Sequence, residues 1–261
     1  MSRPRAAALA AGLLVVVAAA GVLCARQPVS AERVMAAYTT SFAGRSPGQV
    51  DNALRAARAL DGAVVPAGGV FSFNRRVGPW TADRSYRRAP VSYDGEIILD
   101  VGGGICQLST TLYGAALVGG MEIVERHRHF WPVTYAAPGL DAAVAFPRID
   151  LRFRNPLPAP VRLRARRNGL QLIVELLSTA RGQQCTIERR RLAVHAPTTL
   201  VRCAERLSPG QVLRCNRGQA GQEVAVYRLR WSGDSGPERT LISVDNYPPL
   251  NRIIKIGPQG R

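Results

Sequence analysis

Apolar positions along the chain repeat with a spacing that changes from segment to segment, and each change predicts an element. Residues 6–25 carry no charge and follow Arg3 and Arg5. That run fits a signal peptide or a membrane-spanning helix, and the arginines ahead of it favour a cytoplasmic N-terminus. No small-x-small cleavage site follows it, which favours an uncleaved anchor. Residues 31–42 read as a short helix continuing from it. Next, Val50, Ala53, Leu54, Ala57 and Leu60 recur at helical spacing. Ser46 is placed to cap that helix, Pro47 to fill its first position and Gly62 to stop it. Residues 64–73 predict two short strands around Pro66-Ala67-Gly68-Gly69. Residues 78–90 predict a polar loop able to reach over a site.

Residues 96–99 read as a strand, and Ile105, Leu108, Leu112 and Ala116 then return at helical spacing. Gly102-Gly103-Gly104 is therefore a turn from strand into helix. Gly119-Gly120 ends that helix. Residues 121–131 alternate, so a strand there would project His127, His129 and Trp131 to one face. Residues 135–141 form a Pro/Gly loop, and residues 143–153 and 161–165 alternate again. Asn168-Gly169 marks a two-residue hairpin into residues 170–177. Further strands are expected over 224–229 and 238–243. The whole pattern predicts an α+β fold. A Cys-bearing helix would pack on an antiparallel sheet over residues 31–180. An all-β extension would follow over 183–261, with a membrane or signal helix over 1–30.

Charge adds to this picture. The formal net charge is +17, nearly all of it arginine; Lys255 is the only lysine. A strong basic balance suits an acidic partner such as nucleic acid, anionic lipid or anionic wall polymer. The arginines are scattered apart from Arg189-Arg190-Arg191, and no nucleic-acid motif is present, so no nucleic-acid partner is expected. The glycine turn lacks the Lys-Ser/Thr of a phosphate-binding P-loop. Export through residues 1–30 would put the globular part outside the cytoplasm, membrane-anchored or, if they are cleaved, secreted. In that oxidising setting Cys203–Cys215 is the simplest disulfide. No Cys-x-x-Cys pair exists, so no structural zinc site and no cofactor are expected.

The candidate chemistry centres on Cys106. It falls in the first turn of the helix after the glycines, where unpaired N–H groups stabilise a thiolate and can receive an oxyanion. Gly102, Gly103, Gly104 and Gln107 belong to that turn. Ser109, Thr110 and Tyr113 share the helix face of Cys106. Two of the three histidines, His127 and His129, follow on the predicted strand. A base needs to be near the nucleophile in space only.

These residues carry a resemblance. Gly102-Gly103-Gly104-Ile105-Cys106-Gln107-Leu108-Ser109-Thr110-Thr111-Leu112-Tyr113, then Glu125-Arg126-His127-Arg128-His129 and Pro138-Gly139-Leu140-Asp141-Ala142, resemble the VanW family. That family is named for an accessory gene of glycopeptide-resistance clusters. The likeness continues upstream through Phe71-Ser72-Phe73-Asn74 and Val77-Gly78-Pro79. Downstream it runs through Ile149-Asp150-Leu151-Arg152-Phe153-Arg154-Asn155. Residues 218–257 faintly resemble the G5 module of wall-associated proteins. The VanW resemblance implies cysteine-dependent chemistry on peptidoglycan, with some members similar to L,D-transpeptidases, which make 3→3 cross-links. Its partners would be stem peptides, with the membrane held through the N-terminal helix.

Under that reading Cys106 attacks a peptide carbonyl, and His129 or His127 moves the protons. Asp141 or Asp150 orients the imidazole, and Arg148 binds a stem-peptide carboxylate. Two other classes stay open. One is a non-catalytic peptidoglycan-binding module linked to glycopeptide resistance. The other is a metal site formed by Cys106, His127 and His129.

Overall fold

The computed structural model describes residues 31–93, 96–182, 185–231 and 236–258. Strand β1 (Arg33–Ser41) leads into α1 (Pro47–Leu60), β2 (Val64–Val65), β3 (Val70–Ser72) and the short α2 (Phe73–Val77). The hairpin β4 (Arg88–Tyr93) and β5 (Glu96–Val101) follows, then α3 (Ile105–Val118), β6 (Glu122–Glu125) and β7 (Arg152–Arg154). Next come β8 (Val161–Asn168), β9 (Gln171–Ser178), β10 (Cys185–His195), β11 (Thr199–Cys203) and β12 (Val212–Arg214). Strands β13 (Gly221–Trp231), β14 (Pro237–Tyr247) and β15 (Arg252–Ile256) finish the chain.

The expected α+β class is overturned. Strands hold 45% of the described residues and helices 17%, in several mostly antiparallel sheets, so the described part is mainly β. The sheets run β1-β9-β8-β2, β3-β7-β6, β4-β5, β10-β13-β14 and β11-β15-β12. Much of the error arose at residues 31–42. Their Ala-rich composition suggests helix, but β1 pairs antiparallel with β9 from Arg33–Ser178 to Ser41–Gln171. Pairing and burial of Ala36 and Thr40 override local propensity. The proposed membrane or signal helix lies outside the described residues. Among the described residues no helix is long and apolar enough to cross a membrane.

Where the signals are local, element and sequence agree. The Ser46 hydroxyl accepts from the Gln49 N–H (3.3 Å), and the Gln49 side chain accepts from the Ser46 N–H (3.0 Å). This capping box, with Pro47 behind it, starts α1. The β8–β9 hairpin pairs Asn168 with Gln171, so its loop is Gly169-Leu170, one residue later than the Asn168-Gly169 expected. Gly169 takes the positive φ (+56°) that such a turn needs.

Helix α3 is buried along almost its whole length, and Leu108, Leu112 and Leu117 are fully enclosed. Each such side chain contributes roughly 1.5–3 kcal/mol of transfer energy. Its contact with β1 is close: a Cβ on Gly114 would lie 2.3 Å from the Tyr38 ring. Strand β8 buries Val161 and Leu163 while exposing Arg162 and Arg164. Residues 32–261 form one compact unit, with β13 tied to the end of α3 by Arg228, which donates to the Met121 carbonyl (2.7 Å).

The expected Cys203–Cys215 disulfide is also overturned, since both are free thiols. Cys203 pairs with Ile256 on one side of β15, and the Cys215 N–H donates to Ile253 on the other. Two strand spacings, roughly 9.5 Å, exceed the ~7 Å that a disulfide spans between Cα atoms.

Candidate active site

The turn before α3 is locked from behind. A Cβ on Gly104 (φ +108°) would lie 2.1 Å from the Gln49 carbonyl oxygen, and one on Gly103 would lie 2.7 Å from that of Pro90. Only glycine permits the α1 start and β4 to approach so closely. Buried Asn52 clamps the turn by donating to the carbonyls of Gly103 (2.9 Å) and Arg87 (2.9 Å) and accepting from the Arg87 N–H (2.8 Å). The Ile105 N–H donates to the Gly102 carbonyl (3.1 Å) and the Gln107 N–H to that of Gly104 (3.1 Å). Among the described residues the Cys106 N–H between them has no acceptor, so it is free to receive an oxyanion beside the thiol.

The Cys106 thiol donates to the Val144 carbonyl (3.5 Å) and lines the same cavity as His129. Burial opposes its ionisation, but hydrogen bonding and charge from His129 outweigh that and hold its pKa below the ordinary thiol value. Burial likewise disfavours the His129 imidazolium. Hydrogen bonds to Asp141 and Cys106 more than compensate, raising its pKa to about 9. Both shifts act in the direction of a thiolate–imidazolium pair. His129 Nδ1 lies 2.6 Å from Asp141 Oδ2, and the His129 N–H donates to the same oxygen (2.7 Å). The Tyr135 hydroxyl lies 3.3 Å from His129 Nε2.

Asp141 is 1% exposed and fully engaged. Its Oδ1 accepts from Arg126 (3.1 Å) and from the Tyr247 hydroxyl. Burial would raise its pKa, but His129 and Arg126 hold it down at about 2. Arg126 also donates to the Asp141 carbonyl (2.7 Å) and to Asp245 (2.6 Å), and its guanidinium lies 5.2 Å from the Tyr113 ring centroid. The network therefore closes through β14, more than a hundred residues away in sequence.

Other candidates sit elsewhere. The expected strand over residues 121–131 stops at Glu125, with a bulge between Ile123 and Glu125. His127 then diverges from His129. It is exposed, bonds to Glu125 (3.0 Å) and bridges to Ala143 through its backbone. Asp150 accepts from the Ser72 hydroxyl (2.5 Å) and from the N–H groups of Asn74 and Leu151 (both 2.8 Å), so it anchors the start of α2. Gln107 is buried and donates to the Ser41 carbonyl (2.9 Å). Ser109 donates to the Ala142 carbonyl (2.7 Å) and Thr110 accepts from the Ala142 N–H (3.0 Å). Both fasten the Asp141 loop to α3 and are fully buried. Tyr113 is buried with its hydroxyl unpartnered among the described residues. Arg148 is exposed on the 145–148 turn. Among the described residues no three His, Cys, Asp or Glu side chains are placed to hold a metal ion.

A cavity of about 810 Å³ opens in front of the thiol. Gly102, Gly103 and Gly104 floor it beside Cys106 and His129, and residues 130–135 form one wall. The facing wall comes from the C-terminal sheets: Asn216, Gln219, Leu250, Ile253 and Lys255. Sequence reasoning missed Arg126, Tyr135, Tyr247, Asp245 and Asn52. Only Arg126 carried a signal, since it lies between Glu125 and the candidate histidines.

Residues 48–177 match the family model described as VanW like protein. The chain is 39% identical over 142 residues to the Uncharacterized protein YoaR of Bacillus subtilis (strain 168), covering 54% of this chain and 47% of that protein. It is 31% identical over 112 residues to the Vancomycin B-type resistance protein VanW of Enterococcus faecalis, covering 41% of each. It thus spans less than half the length of these relatives. Among solved structures, the IgA1 protease G5 domain covers 30% of this chain and 94% of its own, at 16% identity and a TM-score of 0.22. A second G5 structure, HP0197-G5, covers 28% of this chain at 23% identity and a TM-score of 0.17.

Proposed function

We propose, for a chain whose residues 48–177 form a VanW-like domain, a cysteine-nucleophile acyl transfer on wall peptides, of the L,D-transpeptidase type. The observation that carries this reading is a half-buried Cys106 and His129 lining one open cavity, with the buried Asp141 carboxylate bonded to His129 Nδ1. The Cys106 thiolate attacks the peptide carbonyl carbon, and the carbonyl electron pair moves to oxygen, where the Cys106 N–H receives it. Collapse breaks the C–N bond, and the His129 imidazolium protonates the departing amine. A thioester remains. An acceptor amine, or water, then attacks it while His129 takes its proton, and the thiolate leaves. Asp141 holds the imidazole by Nδ1 throughout, as the carboxylate does in other triads. Membrane anchorage through residues 1–30, or secretion, would place this reaction outside the cytoplasm. A reporter fused after Arg261 should then be active only as an exported protein.

A second reading is favoured by the comparisons. One relative is named for vancomycin resistance, and its name states no reaction. In this reading the cleft retains wall peptides without cutting them, and the thiol is spare.

One experiment separates the two. Purified protein is mixed with disaccharide-peptide fragments of peptidoglycan and followed by mass spectrometry. The enzyme reading expects a thioester adduct and cross-linked or shortened products, all abolished by Cys106→Ser with the fold retained. Binding of the fragments with no adduct and no product, unchanged in Cys106→Ser, would establish the binding module instead.

A further inference from the structure

The cleft wall contains a cation with no carboxylate partner among the described residues. Arg45 follows the Gly44 turn (φ +74°) after β1, and its N–H donates to the Phe42 carbonyl (3.0 Å). The half-buried side chain projects into the cleft that also borders Cys106 and His129. Its guanidinium carbon lies 5.0 Å from the centroid of the Tyr135 ring, whose hydroxyl touches His129. Its Nε is shut off from solvent and has no hydrogen-bond partner among the described residues. Among the described residues no carboxylate pairs with it, whereas Arg126, Arg164 and Arg166 each hold one. Burial pulls its pKa below the ordinary arginine value, against the opposing pull of Tyr135 and Cys106. The same cavity is lined by Lys255, the sole lysine, also without an ion-pair partner among the described residues. Among the described residues nothing acidic lines the cavity.

We propose that Arg45, assisted by Lys255, forms an anion subsite that takes the free α-carboxylate of a peptide whose scissile carbonyl rests on Cys106. A planar guanidinium matches a carboxylate fork, and stacking on Tyr135 fixes its plane. With the anion held this near the thiol, the bond attacked lies at the C-terminal end of the peptide. The enzyme thus acts on uncross-linked chain ends and discriminates against stems whose terminal carboxylate is blocked. This replaces Arg148, exposed on its turn, as the carboxylate-binding residue. The proposal rests on the cleft being the wall-peptide site.

The test uses full chain carrying Cys106→Ala, so that no ligand is consumed. Two ligands are titrated calorimetrically: a disaccharide-tetrapeptide ending in a free D-alanine carboxylate, and the same fragment as its carboxamide. The acid should bind about tenfold more tightly than the amide, the scale of one charge-assisted contact. Arg45→Gln should erase the preference, Arg45→Lys should restore part of it, and Lys255→Met should reduce it about threefold. Equal affinity for acid and amide overturns the subsite while leaving the peptide reading intact. Full preference retained in Arg45→Gln also overturns it. Failure of both fragments to bind overturns the peptide reading of the cleft and this proposal with it. The acid–amide comparison needs no change at Arg45, so it stands even if Arg45→Gln does not fold.

Discussion

The loops carrying Asp141 and Asp150 show how one residue type serves two ends. Both carboxylates are buried and each accepts at least three hydrogen bonds. Around Asp150 the donors are two backbone N–H groups and a serine hydroxyl, all holding β3, α2 and Leu151 in place. Around Asp141 they are the side chains of His129, Arg126 and Tyr247, all three titratable or charged and each meeting other side chains in turn, with the His129 N–H beside them. A carboxylate spent on backbone builds a turn. One that faces an imidazole and a guanidinium sets a protonation state.

The largest test of this contrast is a matched pair. Asp141→Asn should lower thioester formation by roughly 10⁴-fold, as loss of the orienting carboxylate does in triads. Asp150→Asn should leave the rate nearly unchanged and lower stability by about 1–3 kcal/mol, read from denaturant unfolding. Equal rate losses in the two would break the contrast. Arg126→Met comes next, because it strands Asp141 and Asp245 as buried charges. A stability loss of about 3–5 kcal/mol is expected, and a loss below 1 kcal/mol would mean the pair is solvated.

Acid titration has a smaller effect. Asp141 falls from 3.8 to about 2 on folding, a depressed pKa. Its contribution is complete above pH 3.8 and is lost as pH drops toward 2. A depression of that size corresponds to about 2 kcal/mol. Wild-type stability should fall through that window, and Asp141→Asn should flatten the slope. The smallest effect is expected from His127→Gln. It breaks only an exposed pair with Glu125, so stability should change by less than about 1 kcal/mol. Iodoacetamide should still alkylate Cys106 with an unchanged pH profile, whereas His129→Gln should shift that profile upward. A profile that moves with His127 instead would reverse the roles of the two histidines.

The same contrast explains what the sequence made legible. Ser46, Pro47 and Gly62 act within one helix turn, so α1 could be read locally. The glycine turn, Cys106, His129 and Asp141 lie in short motifs; the glycines, Cys106 and His129 line one cavity, and Asp141 bonds to His129. Residues 31–42 could not be read, because their strand exists only through β9. Ser109, Thr110 and Tyr113 look like a polar helix face, yet α3 is enclosed on every side. Their hydroxyls serve the Asp141 loop or the core. Arg126, Asp245 and Tyr247 meet only in three dimensions, and no periodicity announces a contact across that separation.

Asp245 and Tyr247 also lie beyond residues 48–177, the stretch by which kinship is recognised. The matched stretch and the hydrogen-bonded network around Asp141 therefore have different boundaries. A fragment trimmed to the recognised stretch would carry the thiol, the imidazole and the carboxylate. It would lack the phenol and the acid that close the circuit behind them. Such a fragment is a poor vehicle for assays. Grafting the recognised stretch onto another scaffold would also require a replacement for strand β14.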